Sequence, residues 1–177
     1  YLIDGGSIKK ICDKHLLPNY GALNDARIFD PGSDFGLVKI RGKSIGVTIC
    51  EDIWTIPTIP TAGRYEYFPR PLEHFANLKK SDPSALDILV NISASVFSSG
   101  NDTVRRKGGL MCEVSRFVGV PLVWCNLVGG NDEIVFAGGG GFFDASGAEP
   151  KSKCLKKFEE CAEVIDTSSI EGYDGDS

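Results

Sequence analysis

The sequence predicts a layered α/β fold, and three observations carry the prediction. Residues 85–93 form a near-continuous apolar run of strand length, the pattern of a strand covered on both faces. Residues 103–118 place Val104, Gly108, Met111, Ser115 and Val118 on one helical face, widened by Val114 and Phe117, with Arg105, Arg106, Glu113 and Arg116 mostly elsewhere. Residues 120–128 form a second apolar run after Gly119, a natural helix stop. Strand, helix, strand in that order is the crossover unit of a layered sheet.

The remaining elements follow in order. Residues 1–13 read as a hairpin turning at Gly5-Gly6. Residues 14–21 contain Pro18 and Gly21 and read as a loop, and Asp30-Pro31-Gly32 is a turn. Residues 37–40 and 44–50 form a second hairpin, with Val38 and Ile40 facing Ile45, Val47 and Ile49 at period two. Residues 55–71 hold four prolines and read as an irregular cover over a sheet rim. A short helix starts at Pro71 and runs to Lys80. Gly138 to Gly141 precede Phe142-Phe143-Asp144 and a Ser146-Gly147 turn, which predicts a hairpin rather than the helix N-terminus a phosphate cradle needs. Residues 151–161 read as a charged, exposed segment, 163–166 as a short strand, and 167–177 as an acidic tail or linker after a domain spanning 1–166.

Composition narrows the function. A chain of 177 residues suits one core, and 42% hydrophobic with 24% charged residues is ordinary for a globular protein. A net charge of −5 argues against a nucleic-acid surface. No apolar run is long enough to span a membrane. The six cysteines include no CxxC pair, and His15 and His74 are not at ligand spacing from them, so no metal site is expected. Reduced thiols suit a cytoplasmic protein.

The stretch 46–54 carries the chemistry. Val47 and Ile49 alternate with Gly46 and Thr48 up to Cys50, and Glu51-Asp52 follow at once. A strand end places a side chain at a sheet rim, where open α/β sheets hold their chemistry. A lone buried cysteine is ordinarily inert filler, and a loop lysine such as Lys14 is ordinarily a solvated charge. Four polar stretches end the predicted strands and loops: 14–20, 50–54, 91–95 and 129–133.

Taken together, Leu17-Pro18-Asn19-Tyr20-Gly21 with Lys14 before it, Cys50-Glu51-Asp52-Ile53-Trp54, Asn91-Ile92-Ser93-Ala94-Ser95 and the run 128–133 resemble the nitrilase (carbon–nitrogen hydrolase) superfamily. Within it they resemble the glutaminase domains of glutamine-dependent NAD synthetases. The resemblance implies an αββα sandwich, incomplete at its N-terminus, with a Glu-Lys-Cys site. It matches the nucleophile to Cys50 and the lysine to Lys14. A thiolate attacks a carboxamide, a neighbouring ammonium lowers the thiol pKa and stabilises the oxyanion, and the backbone N–H of Glu51 is the second oxyanion donor. The resemblance suggests Tyr20, Glu51 and Ser95 as substrate contacts, and Asp25 as a second acid with a shorter reach. The family's general-base Glu lies upstream of the lysine, in a stretch this sequence does not contain. The chain alone is therefore expected to have little or no activity.

The implied reaction is release of ammonia from glutamine through a thioester. The ammonia serves a separate ammonia-using NAD synthetase domain, which carries the ATP and magnesium. This part needs no cofactor, and a homo-oligomer is expected. Two alternatives stand: a stand-alone amidase of the same superfamily, and a non-catalytic fragment lacking the base. A Cys-His protease is a weaker third, since neither histidine is singled out by spacing.

Overall fold

The computed structural model describes residues 1–20, 23–56, 70–98, 109–149 and 155–166. Predictions for 57–69, for the first turns of the 103–118 helix, for 151–154 and for the tail from 167 lie outside them. The first hairpin pairs β1 (Leu2–Asp4) with β2 (Ser7–Lys9) across Gly5-Gly6. A second small pair joins β3 (Asn19–Tyr20) to β4 (Leu23–Asn24). Between them, residues 10–18 belong to no strand or helix.

The main sheet has five strands in the order β11 (Gly141–Phe143), β8 (Leu122–Asn126), β7 (Ile88–Ser93), β6 (Lys43–Ile49) and β5 (Gly36–Ile40). β5 (Gly36–Ile40) and β6 (Lys43–Ile49) are antiparallel, with Val38 opposite Ile45. The two-residue turn Arg41-Gly42 has positive φ at both positions, 49° and 81°, as a primed hairpin turn requires. β7 (Ile88–Ser93) runs parallel to β6, and β8 (Leu122–Asn126) runs parallel to β7. The crossovers are α1 (Pro71–Ser81), with Pro at its first position, and α2 (Leu110–Val118), stopped by Gly119 at φ 76°. β9 (Val128–Asn131) and β10 (Ile134–Ala137) form an outlying hairpin.

Both helices pack on one sheet face. Ile53, Leu72, Phe75, Leu86, Leu89, Met111, Val114, Leu122, Trp124 and Phe143 form a single buried cluster there. Gly46 sits in the middle of β6 under this layer, where a Cβ would come within 2.9 Å of Phe75 and 3.0 Å of Leu89.

Three expectations are corrected. Among the described residues β7 is covered on one face: Leu89, Asn91 and Ser93 point into the helical layer, whereas Ile92 is 52% exposed. The inward face tolerates Asn91 and Ser93 because they bond to neighbours. β11 (Gly141–Phe143) pairs with β8, not with a strand beyond Ser146-Gly147. Asp144 instead closes that turn, accepting from Ser146 N, Ser146 Oγ and Ala148 N. Residues 163–166 form no strand; they lie along the surface, with Val164 94% exposed.

Candidate active site

Three parallel strands end on the same rim. Cys50 follows β6, Ala94 and Ser95 follow β7, and Leu127 follows β8. With Lys14, Pro18, Leu23, Asp25, Ile49, Ile92 and Ser93, the first, second and fourth of these border one cavity of about 420 Å³. Lys14, 36 residues upstream of Cys50, thus meets it at the carboxyl ends of the parallel strands, the place where open α/β sheets bind ligands.

The chain turns sharply at the thiol. Cys50 has φ 50° and opens a 3-10 turn, Cys50–Ile53, directly after the extended Ile49. A left-handed φ at a residue other than Gly, Asn or Asp is costly and needs support from its surroundings. Asn91 supplies part of that support: its Nδ2 donates to Cys50 O at 3.2 Å and to Thr48 Oγ1 at 3.1 Å, while Ser93 Oγ donates to Asn91 Oδ1. Asp52 supplies more, accepting from Ile49 N at 3.0 Å.

The lysine segment is fastened from two sides. Gly32 N donates to Lys14 O at 2.8 Å, and a Cβ at Gly32 would stand 2.8 Å from Asp13, so only glycine lets the two segments pass so closely. On the other side, His15 N and Leu16 N donate to Asp52. The Lys14 ammonium nitrogen is buried and has no hydrogen-bond partner among the described residues.

Electrostatics at the thiol are opposed. Burial is the largest influence and pushes the Cys50 thiol above its ordinary range. Lys14 pulls it down, as do the backbone of Ala94 and the hydroxyl of Ser95, while Glu51 pushes it up. The net direction is up, so the expected depression by the ammonium exists but does not win. A thiol in this state is neutral at rest and needs a base to become a nucleophile.

The other predicted residues fall as follows. Asp25 begins a short 3-10 turn and lines the cavity. Ser95 is buried at the β7 end, its N–H donating to Asn126 Oδ1 at 2.9 Å, and its side chain reaches Cys50. Glu51 is 1% exposed and does not border the cavity. The side chain of Tyr20 lies outside the described structure. The fourth polar stretch is not at this rim: Asn131 to Glu133 form the exposed tip of the β9–β10 hairpin. His15 stacks on Phe35 at 4.8 Å, and Phe35 stacks on His74 at 4.0 Å; neither histidine borders the cavity. Trp54 packs against the core. Sequence reasoning placed Asn91, Ala94 and Asp52 at strand-end rims, within the stretches 91–95 and 50–54, but gave them no role; their bonds to Cys50 and to residues 15, 16 and 49 were missed.

A strand-end thiol on a tight turn and a buried ammonium thus border one small cavity at the rim of an α/β sheet, and the fold is nitrilase-like. Solved structures share this fold. A CN-hydrolase superfamily protein from Xanthomonas campestris superposes with a TM-score of 0.65 at 15% identity, over 89% of this chain and 52% of that one. In sequence the chain is related more narrowly, to glutamine-dependent NAD(+) synthetases. The Thermotoga maritima enzyme is 36% identical over 146 residues, 82% of this chain. The Acinetobacter baumannii enzyme superposes with a TM-score of 0.66 at 25% identity, over 84% of this chain and 24% of that one. The chain spans about a fifth of the length of the curated relatives it matches. No family model matches it.

Proposed function

We propose that the chain is part of the glutaminase unit of a glutamine-dependent NAD synthetase, and that Cys50 and Lys14 open the carboxamide of glutamine. The single observation that supports this most is the shared cavity of Lys14, Asp25 and Cys50 at the ends of β6, β7 and β8. Glutamine enters with its side-chain amide against Cys50. The thiol proton passes to a carboxylate as Sγ attacks the carbonyl carbon. The resemblance assigns that role to a Glu upstream of the lysine segment, and Asp25 is a carboxylate on the cavity wall itself. The carbonyl oxygen gains negative charge and is stabilised by the Lys14 ammonium and by the backbone N–H of Glu51. The carboxylate returns the proton to the departing nitrogen, ammonia leaves, and a thioester remains on Cys50. Water then cleaves it to glutamate and the free thiol.

Tyr20 and Ser95 are the proposed contacts to the substrate's amino-acid end; the resemblance also suggested Glu51, but its side chain is buried away from the cavity, so its proposed part is the backbone N–H alone. The ammonia goes to a synthetase domain that holds ATP and magnesium; this unit uses neither. A homo-oligomer in the cytoplasm completes the proposal.

A diazoketone analogue of glutamine tests the assignment. Incubation, digestion and mass spectrometry should find the label on Cys50, slowed by excess glutamine and not by excess acetamide. Equal protection by acetamide would favour a simple amidase. In an enzyme that also carries the upstream Glu, label confined to the exposed Cys125 and Cys161, with Cys50 untouched, would overturn the proposal.

A further inference from the structure

Asp52 is a buried carboxylate that the reaction does not use. It is 2% exposed, so its charge has to be matched from within the protein. Its Oδ1 accepts from the amides of His15 at 3.1 Å and Leu16 at 2.9 Å, and its Oδ2 accepts from the amide of Ile49 at 3.0 Å. His15 Nδ1 lies 3.8 Å from the same Oδ2. Two of the three amides directly follow Lys14; the third directly precedes Cys50. Residues 10–18 have no strand partner of their own, so the amides of His15 and Leu16 rely on the carboxylate.

We propose that Asp52 is a positioning residue: one carboxylate grips the backbone beside Lys14 and the backbone beside Cys50, and so sets the distance at which ammonium and sulfur face each other. Hydrogen bonds to an ionised acceptor are shorter and stronger than neutral ones. Both oxygens are needed, because each serves a different segment. Asparagine has the same shape but presents one oxygen and one NH₂ group, so it must release one side or the other. The inference rests on the reading that Lys14 and Cys50 act together.

The test is a double-mutant cycle read at Cys50. The pH midpoint of Cys50 alkylation by iodoacetamide is followed by mass spectrometry in four proteins: the unsubstituted chain, Lys14→Met, Asp52→Asn and the double variant. Lys14→Met should raise the midpoint when Asp52 is present, and less than half as far in the Asp52→Asn background. A shift of the same size in both backgrounds overturns the clamp while leaving the Lys14–Cys50 pairing intact. No shift even with Asp52 present overturns the pairing, and the clamp with it. A purely structural role would lower stability and open the buried Cys112 to alkylation without changing the size of the Lys14 effect. Should Asp52→Asn fail to fold, amide exchange in the unsubstituted protein decides. The amides of His15, Leu16 and Ile49 should be protected like those of the β6–β7 ladder. Exchange as fast as at the exposed Gly5-Gly6 turn overturns the proposal.

Discussion

The turn at Cys50 offers a prediction in which stability and reactivity part company. Its φ of 50° lies in the left-handed region, which costs an L-residue roughly 1–2 kcal/mol. Replacing Cys50 with Ala removes the sulfur and keeps that cost. Replacing it with Gly removes the sulfur and the cost together. Glycine gives back about 0.5–1 kcal/mol through the greater freedom of the unfolded chain. The glycine variant should therefore be more stable than the alanine variant by up to about 1.5 kcal/mol, centred on about 0.75 kcal/mol or roughly 2 °C in Tm for a chain of this size. Neither should take up the diazoketone label at position 50. Paired thermal and urea unfolding of the two variants measures the difference, and the alanine protein serves as the control for loss of the thiol. An alanine variant as stable as the glycine variant, or more so, would mean that residue 50 is not held in a left-handed conformation, and the argument for a strained nucleophile turn would fail.

Three further predictions follow from the packing and the charges. Gly46→Ala pushes a methyl group against Phe75 and Leu89 and should cost about 1–3 kcal/mol by denaturant unfolding, because the helical layer must shift to admit it. Asp144→Ala leaves the turn after β11 without the acceptor for Ser146 N and Ala148 N and should cost about 1–2 kcal/mol by the same assay. Burial, and then the neighbouring His15, hold the His74 imidazole below its ordinary pKa. A histidine depressed in the folded state binds its proton more readily when unfolded. Its contribution is thus present above the unfolded value of about 6.5 and is lost as pH falls through that value toward the lower folded one. Stability should fall on acidification through this window, and His74→Gln should flatten the slope.

Local patterns made much of the scaffold readable. The alternation of Val38 and Ile40 against Ile45, Val47 and Ile49 gave the β5–β6 hairpin, and Pro71 marked the start of α1. Gly119 marked the end of α2 because its φ of 76° is one that glycine adopts freely. The cover of β7 was not readable, because inward Asn91 and outward Ile92 invert the usual sorting of polar and apolar residues. Asn91 earns its place by bonding Thr48 and Cys50, and those partners lie more than forty residues away. The tip at Asn131 to Glu133 had the composition of a rim but lies at the end of a separate hairpin, since a turn sequence fixes the turn and not what it faces.

The site was readable in a different way. Cys50 stood out because a strand ended there and acids followed. Lys14 stood out only through the resemblance, as nothing in its own neighbourhood distinguishes it from a solvated charge. The grip of Asp52 on both segments was invisible in the sequence: a carboxylate beside a nucleophile suggests acid–base chemistry, not a bond to the backbone of residues 15 and 16. The balance at the thiol was equally hidden. Charge counting favours a low pKa beside Lys14, but burial is the larger influence and depends on the folded rim.

The most direct test of the account is the alkylation midpoint of Cys50 in the unsubstituted protein set against Lys14→Met. The thiol is already held high by burial, and Lys14 is the largest influence holding it back. Removing the ammonium should raise the midpoint further, slow labelling at neutral pH, and leave the alkylation of the exposed Cys125 and Cys161 unchanged. An unchanged Cys50 midpoint, in a variant whose unfolding curve shows it intact, would mean that the ammonium and the sulfur do not act on each other, and the proposed hydrolase chemistry would lose its basis.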